Sequence, residues 1–96
     1  PTTEEEKSNG LMYRDSLDDN SGIFYDYVDG GFWMDNVKFP IEMIFINDNE
    51  IVDIKKAKAY DKTSIHPSVE SNGNLEVNDG FCGTNNISVG NKIYRS

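Results

Sequence analysis

Residues 31–45 read GFWMDNVKFPIEMIF, and they join an aromatic-rich turn to the most apolar strand of the chain. The strand predicted to follow Pro40 would alternate its side chains between two faces. One face would carry Ile41, Met43 and Phe45, and the other would carry Glu42, Ile44 and Ile46. Both faces are therefore apolar except at Glu42. Such a strand is typical of the interior of a sheet that is covered on both sides.

The same strand begins a predicted β-hairpin over residues 40–55. Residues 47–49 are Asn-Asp-Asn, a run that favours a turn. The return strand is EIVDI at residues 50–54, in which one residue separates Ile51 from Asp53 and Val52 from Ile54.

Short strands and frequent turns in the rest of the chain predict a mainly β protein. A single domain over residues 1–96, folded as a small antiparallel β-barrel or sandwich with one or two short helical turns, fits the length and pattern. The remaining predicted elements are a helical turn within residues 1–10, a strand at 23–28, a long loop at 57–73, a strand at 74–77, a turn or short helix at 79–86, and a closing strand or turn at 89–94.

The charge balance excludes two classes of partner. With 17 acidic and 9 basic residues the formal net charge is −8, whereas nucleic acids and anionic membranes attract cationic surfaces. Lys55, Lys56 and Lys58 form the only basic cluster, which we interpret as a solvated strand end. No apolar run approaches the ~20 residues of a membrane span, and no secretion signal is present. The expected location is the cytoplasm or the interior of an assembly such as a virion.

The chain has one cysteine and one histidine, Cys82 and His66. A single thiol makes neither an internal disulfide nor a cysteine-based zinc site, so no metal and no cofactor are predicted. The two residues could form a nucleophile and its base, but no flanking motif supports that pairing. We interpret Cys82 as a buried, inert thiol.

Four residues are candidates for a ligand-binding site: Arg14, Trp33, Asn36 and Glu42. A carboxylate on an interior strand needs a partner, and the planar guanidinium of Arg14 could hold Glu42 with two hydrogen bonds. We favour a structural ion pair over an acidic group in a pocket. Trp33 is interpreted as core, since aromatic side chains dominate burial in small domains, and Asn36 as a residue that hydrogen-bonds the loop backbone.

Three ordered motifs resemble the DUF192 (UPF0127) family. They are GLMYR at residues 10–14, FWMDN at 32–36 and FPIEMIFI at 39–46. The closing motifs, LEV at 75–77, Gly80 and VGNKI at 89–93, are similar as well. The resemblance implies a compact β-rich domain with little helix, and it implies no activity because the family is uncharacterised.

The chain departs from the family pattern in three ways. Glu42 stands where the family usually has aspartate. The long loop lacks the cysteine pair of many members, so a thiol or metal role in that loop is not expected. Members also usually begin with a β-strand before the segment that matches residues 3–7. We therefore expect the sheet to be one strand short, with an unpaired edge that invites a partner strand.

Two functional classes follow from these observations. The first is a non-catalytic interaction or accessory module with a protein partner or a second copy, for instance as a structural component of a virus particle. The alternative is a small-ligand binder or enzyme that uses a pocket near Arg14, Trp33 and Glu42.

Overall fold

A computed structural model describes residues 22–25, 34, 37–61 and 65–93. Its elements are β1 (Gly22–Tyr25), β2 (Ile41–Asn47), β3 (Glu50–Ala57), β4 (Gly73–Asn78) and the single-turn helix α1 (Phe81–Thr84). The four strands form one antiparallel sheet in the order β1-β4-β2-β3. The predicted mainly β class is confirmed. Within this part of the chain the sheet does not close into a barrel, and its covered faces are compatible with a sandwich.

Strand β2 lies inside the sheet, as its sequence predicted. It pairs with β3 on one side and with β4 on the other, and every residue from Ile41 to Ile46 is buried. Because side chains alternate between the two faces of β2, this strand contributes residues to two separate apolar clusters. The first core face comprises Met34, Val37, Ile41, Met43, Phe45 and Ala57. The second core face comprises Ile44, Ile46, Ile51, Val77 and Cys82.

The predicted hairpin is present, and a two-residue turn connects β2 to β3. Asp48 and Asn49 have φ angles of 49° and 68°, a left-handed conformation that these two residue types tolerate and that tight hairpins require. The Asp48 and Asn72 side chains join this turn to the residues before β4. The Asn72 amide donates to the Asp48 carboxylate at 3.0 Å, and the Asp48 N–H donates to the Asn72 Oδ1 at 3.3 Å.

Strand β3 departs from simple alternation. The partner of Phe45 is Asp53, but the partner of Ile46 is Ile51, so Val52 is the extra residue of a β-bulge. Val52 packs against the first core face and Ile54 against the second. Val52 and Ile54 therefore lie on opposite faces although one residue separates them, because the bulge rotates the strand between them.

The other predicted elements are found where the structure describes them. β1 covers the first part of the strand expected at 23–28, and β4 includes the strand expected at 74–77. The expected turn or short helix contains α1, and the last segment forms a turn with one bridge between Glu50 and Lys92. The helical turn expected within residues 1–10 lies outside the described residues.

The outer edge of β3 is partly occupied by the chain itself. Ile51 N–H donates to the Asn91 carbonyl, and Gly90 N–H donates to the Ile51 carbonyl, both at 2.8 Å. Further along the edge, the Asp53 carboxylate accepts the N–H of Ile54 at 2.9 Å. Side-chain caps and bulges of this kind protect an edge strand from unwanted pairing. The expectation that an open sheet edge pairs with a partner strand remains a prediction.

Candidate functional site

The Glu42 carboxylate, the one candidate site residue that the structure describes, caps helix α1. Glu42 is 2% exposed, and its Oε1 accepts the N–H of Cys82 at 2.9 Å. The N–H of Gly80 and the Cys82 thiol also donate to this carboxylate, and Lys56 Nζ lies 3.9 Å from its Oε2. The helix has no side-chain cap of its own, since its first flanking residue is Gly80. Glu42 therefore supplies from β2 the acceptor that the first N–H groups of a helix need.

These contacts keep Glu42 ionised. Burial raises the pKa of the carboxyl, but the hydrogen bonds from Cys82 and Gly80, with the charge of Lys56, outweigh it and hold the pKa below its ordinary value. The prediction that Glu42 lies in the interior of the sheet is confirmed, whereas its contacts with Cys82, Gly80 and Lys56 were not predicted. Arg14, the partner expected from the sequence, lies outside the described residues, so the ion pair stays a prediction.

Cys82 is buried against the second core face. Burial raises the pKa of its thiol to about 12, and the hydrogen bond to Glu42 and the charge of Glu42 add to the rise. The thiolate is the nucleophilic form of cysteine, so this environment suppresses its reactivity. His66 is exposed, and its neighbour Ile65 packs against the first core face, across the sheet from Cys82. The structure therefore does not bring Cys82 and His66 together as a nucleophile and base.

Cys82 should resist modification in the folded protein. We expect its reaction with a thiol reagent at pH 7.5 to be at least about 100-fold slower than in urea-unfolded chain, because both burial and the raised pKa limit the thiolate. A time course of absorbance with a chromogenic disulfide, in buffer and in urea, measures the ratio. Labelling of native protein as fast as a free thiol would contradict the buried, inert interpretation.

A second buried polar group was not found from the sequence. Asn74 and Glu76 project from β4 on the side of Met43 and Phe45, and they are 0% and 5% exposed. Asn74 Nδ2 donates to Glu76 Oε2 at 3.2 Å, whereas the buried Asn74 Oδ1 has no hydrogen-bond partner among the residues that the structure describes. Burial raises the pKa of Glu76 to about 7, and the bond from Asn74 offsets only part of that rise.

The sequence around β4 explains why Glu76 was overlooked. Residues 74–78 read NLEVN, and their alternation resembles a strand with one face in water. The informative signal was non-local: β4 pairs with β2, whose two faces are both apolar. A neighbour of such a strand must also be covered on both faces, which buries Asn74 and Glu76.

Two other candidate site residues, Trp33 and Asn36, lie outside the described residues, as does any pocket that they would form with Arg14. Met34, which lies between them in the sequence, is 1% exposed and belongs to the first core face. Its N–H donates to the Asp61 carbonyl at 2.9 Å, and the Tyr60 N–H donates to the Val37 carbonyl at the same distance. These bonds tie residue 34 and residue 37 to the loop after β3.

A cleft opens between the second core face and the segment of residues 85–93. Its volume is about 340 Å³. The described residues that line it are Ile44, Ile51, Leu75, Ile87 and Ile93, which are aliphatic, and Asn85, Asn86, Asn91 and Lys92, which are polar. Glu42 does not line this cleft, so it is a different pocket from the one that the sequence suggested.

No group of three or more His, Cys, Asp or Glu side chains in the described part of the chain is arranged to hold a metal ion. Among the helices that the structure describes, none has the length and apolar character needed to cross a membrane.

The architecture defines a small antiparallel β domain with two covered faces and a carboxylate-capped helical turn. Comparison with known families then places it: the model of DUF192, described as an uncharacterised ACR, matches residues 1–94. The chain belongs to the DUF192 family, as the sequence motifs indicated.

Two solved structures are similar to this chain. One is a protein of unknown function from Novosphingobium aromaticivorans, with 29% identity and a TM-score of 0.89. The match covers 98% of this chain and 71% of that protein's chain. The other is described as a putative transcription regulator from Sinorhizobium meliloti, with 26% identity and a TM-score of 0.88. The match covers 95% of this chain and 74% of that protein's chain. No curated protein matches the chain.

Proposed function

We propose that this protein is a non-catalytic interaction module that binds a protein partner. The observation that carries the proposal is the structural use of three reactive side chains in the described part of the chain. Backbone N–H groups bind the carboxylates of Glu42 and Asp53, and the Cys82 thiol is buried. Catalysis by side chains needs an acid, base or nucleophile that can meet a substrate. Binding a partner makes no such demand.

The outer edge of β3 supports this proposal with a suitable surface. The Ser68 N–H donates to the Asp53 carboxylate at 2.6 Å, so Val69 is one residue away from a contact with β3. The Gly90 N–H donates to the Ile51 carbonyl, so Val89 is also one residue away from a contact with β3. Val69 and Val89 are 51% and 58% exposed. We call these two valines, with the strand edge between them, the β3-edge surface.

The exposed cations at the end of β3 indicate the chemistry of the partner. Lys56 and Lys58 are exposed there, in a chain whose net charge is −8. Exposed apolar side chains together with cations at one end of the same strand fit a partner surface that is apolar with acidic residues around it. A second copy of this acidic chain meets that description, and so does another acidic protein. One version of the proposal is a structural component of a larger assembly, such as a virus particle, and a small, acidic, asparagine-rich domain is compatible with it.

Two other functions have less support. A pocket for a ligand or reaction near Arg14, Trp33 and Glu42 would have to use a carboxylate that already caps α1. Transcription regulation, the role in the description of the Sinorhizobium meliloti protein, is disfavoured here if it requires contact with nucleic acid, because a net charge of −8 repels the phosphate backbone.

Native mass with matched variants tests the proposal. We expect the tagged full chain, purified from its source cells, to run in a stoichiometric complex well above the monomer mass of 10.9 kDa. Val69→Asp and Val89→Asp should each return it to the monomer mass, because a carboxylate in the contact must be desolvated. Light scattering coupled to gel filtration measures the masses.

Tyr60→Asp is the matched control. Tyr60 is 56% exposed at the start of the connection between β3 and β4, where its N–H donates to the Val37 carbonyl, and it has a φ angle of 60°, which aspartate tolerates. Its substitution makes the same change from apolar to acidic away from the β3-edge surface, so the complex should persist. A wild-type chain that purifies alone as a monomer, or a Tyr60→Asp effect equal to the valine effects, would refute the proposal.

A further inference from the structure

We infer that the cleft between the second core face and residues 85–93 binds a small, uncharged aliphatic molecule with one hydrogen-bonding end. This inference does not depend on the protein partner proposed above. It rests on the volume of the cleft, on the character of its floor, and on the bonds already made around its rim.

The floor and volume select an aliphatic ligand of modest size. Five aliphatic side chains, and no aromatic one, are among the described residues of the lining. The volume of about 340 Å³ falls at the lower end of the range for small-molecule sites. It is roughly twice the volume of a ~150 Å³ apolar cavity that accepts benzene. A ligand of about ten heavy atoms therefore fits.

The charges on the rim cancel. Lys92 lines the cleft, but its Nζ lies 2.7 Å from a Glu50 carboxylate oxygen. A charged ligand would have to displace this pair or leave its own charge desolvated over an aliphatic floor. The cleft therefore favours a neutral molecule over an anion or a cation of the same length.

The polar end of the ligand would meet Asn86. The other two rim amides are already bonded: Asn85 Nδ2 donates to the Phe81 carbonyl at 2.9 Å, and Asn91 Oδ1 accepts the Ser88 N–H at 2.8 Å. The exposed Asn86 side chain has no hydrogen bond within the described part of the chain, so its amide can donate and accept.

An extended peptide is a poorer occupant. The Ile51 N–H and carbonyl on the nearby edge of β3 are bonded to Asn91 and Gly90. Peptides that add to a sheet rely on such backbone groups for affinity. Since these groups are used, strand addition beside the cleft is blocked.

A titration with three probes of equal chain length tests the inference. The probes are 1-octanol, octanoate and octylammonium, followed by NMR of the isoleucine methyl groups in the full chain. We expect 1-octanol to shift Ile44, Ile51, Ile87 and Ile93 saturably, with a dissociation constant of about 0.1–1 mM, and to leave Ile41 on the first core face unchanged. Octanoate and octylammonium should bind at least about tenfold more weakly.

Two variants check the location. Leu75→Trp should fill the cleft and remove saturable binding. Asn86→Gly removes the rim amide at a position with φ 56°, which glycine accepts. This variant should weaken the binding of 1-octanol. It should leave unchanged the binding of benzene, a probe that has no hydrogen-bonding group. The Asn86→Gly comparison decides the matter if Leu75→Trp does not fold.

Three outcomes would overturn the inference: methyl shifts spread over both core faces, no saturation up to the solubility of 1-octanol, or equal affinity for the charged probes. These outcomes are distinct from failure of the proposed interaction module. The titration uses isolated chain, and Val69→Asp, which abolishes the proposed complex, should leave the 1-octanol titration unchanged.

Discussion

Glutamine in place of Glu76 is expected to stabilise the protein by about 3 kcal/mol at pH 8 and by almost nothing at pH 4. Glu76 is 5% exposed, and burial raises its pKa to about 7 from an ordinary value of 4.5. Between pH 4.5 and about pH 7 the unfolded chain releases the proton of Glu76, whereas the folded chain retains it. The stability of the wild type therefore falls as the pH rises from about 4.5 to about 7, and it levels off above that.

Glutamine removes this dependence because it is neutral at every pH in the range. Its amide oxygen can still accept the bond from Asn74, so the packing of β4 is preserved. Urea unfolding of wild type and Glu76→Gln at several pH values between 4 and 8 measures the difference. Glu70→Gln is the matched control, since it makes the same substitution at an exposed position and should leave the stability unchanged. A Glu76→Gln effect that is the same at pH 4 and pH 8 would contradict the raised pKa of the buried Glu76 carboxyl.

Alanine in place of Glu42 is expected to destabilise the protein by about 3 kcal/mol near neutral pH. The change leaves the N–H groups of Gly80 and Cys82 without their acceptor at the start of α1. It also opens space in the interior of the sheet, where Glu42 is buried. Chemical unfolding at pH 7 gives the magnitude.

Glu42→Gln separates the hydrogen bonds from the charge. Glutamine keeps one acceptor oxygen, so we expect a smaller loss, of about 1–2 kcal/mol at pH 7. The folded pKa of Glu42 is lowered, so its charge stabilises the protein above the ordinary pKa of 4.5 and ceases to do so as the pH falls through the folded value. The difference between Glu42→Gln and wild type should therefore shrink in acid. A Glu42→Ala protein as stable as wild type would show that the carboxylate does not cap the helix.

The opposite pKa shifts of these two glutamates have one physical explanation. Both carboxyls are buried in the same sheet, Glu42 on β2 and Glu76 on the neighbouring β4. Glu42 receives two backbone N–H groups, a thiol and a nearby ammonium, and these favour its charged form. Among the described residues, Glu76 receives one amide N–H, from Asn74. This bond offsets only part of the rise in pKa that desolvation causes. The number of donors decides which buried carboxyl carries charge.

Local patterns in the sequence predicted the framework of the fold. The apolar residues on both faces of β2 placed it inside the sheet, and Asp48 and Asn49 predicted the turn, because side-chain alternation and turn chemistry act between neighbours in the chain. The position of Glu42 inside the sheet followed from the same alternation. The family followed from three motifs in order.

Only the tertiary structure decided what happens to the polar groups. The burial of Glu76 depends on the pairing of β4 with β2, and the cap that Glu42 provides joins residues 40 positions apart in the chain. The bulge at Val52, which puts Ile54 on the second core face, likewise appears only when β3 is paired. The energy of a polar side chain depends on which groups cover it, and those groups come from distant segments that a local pattern does not identify.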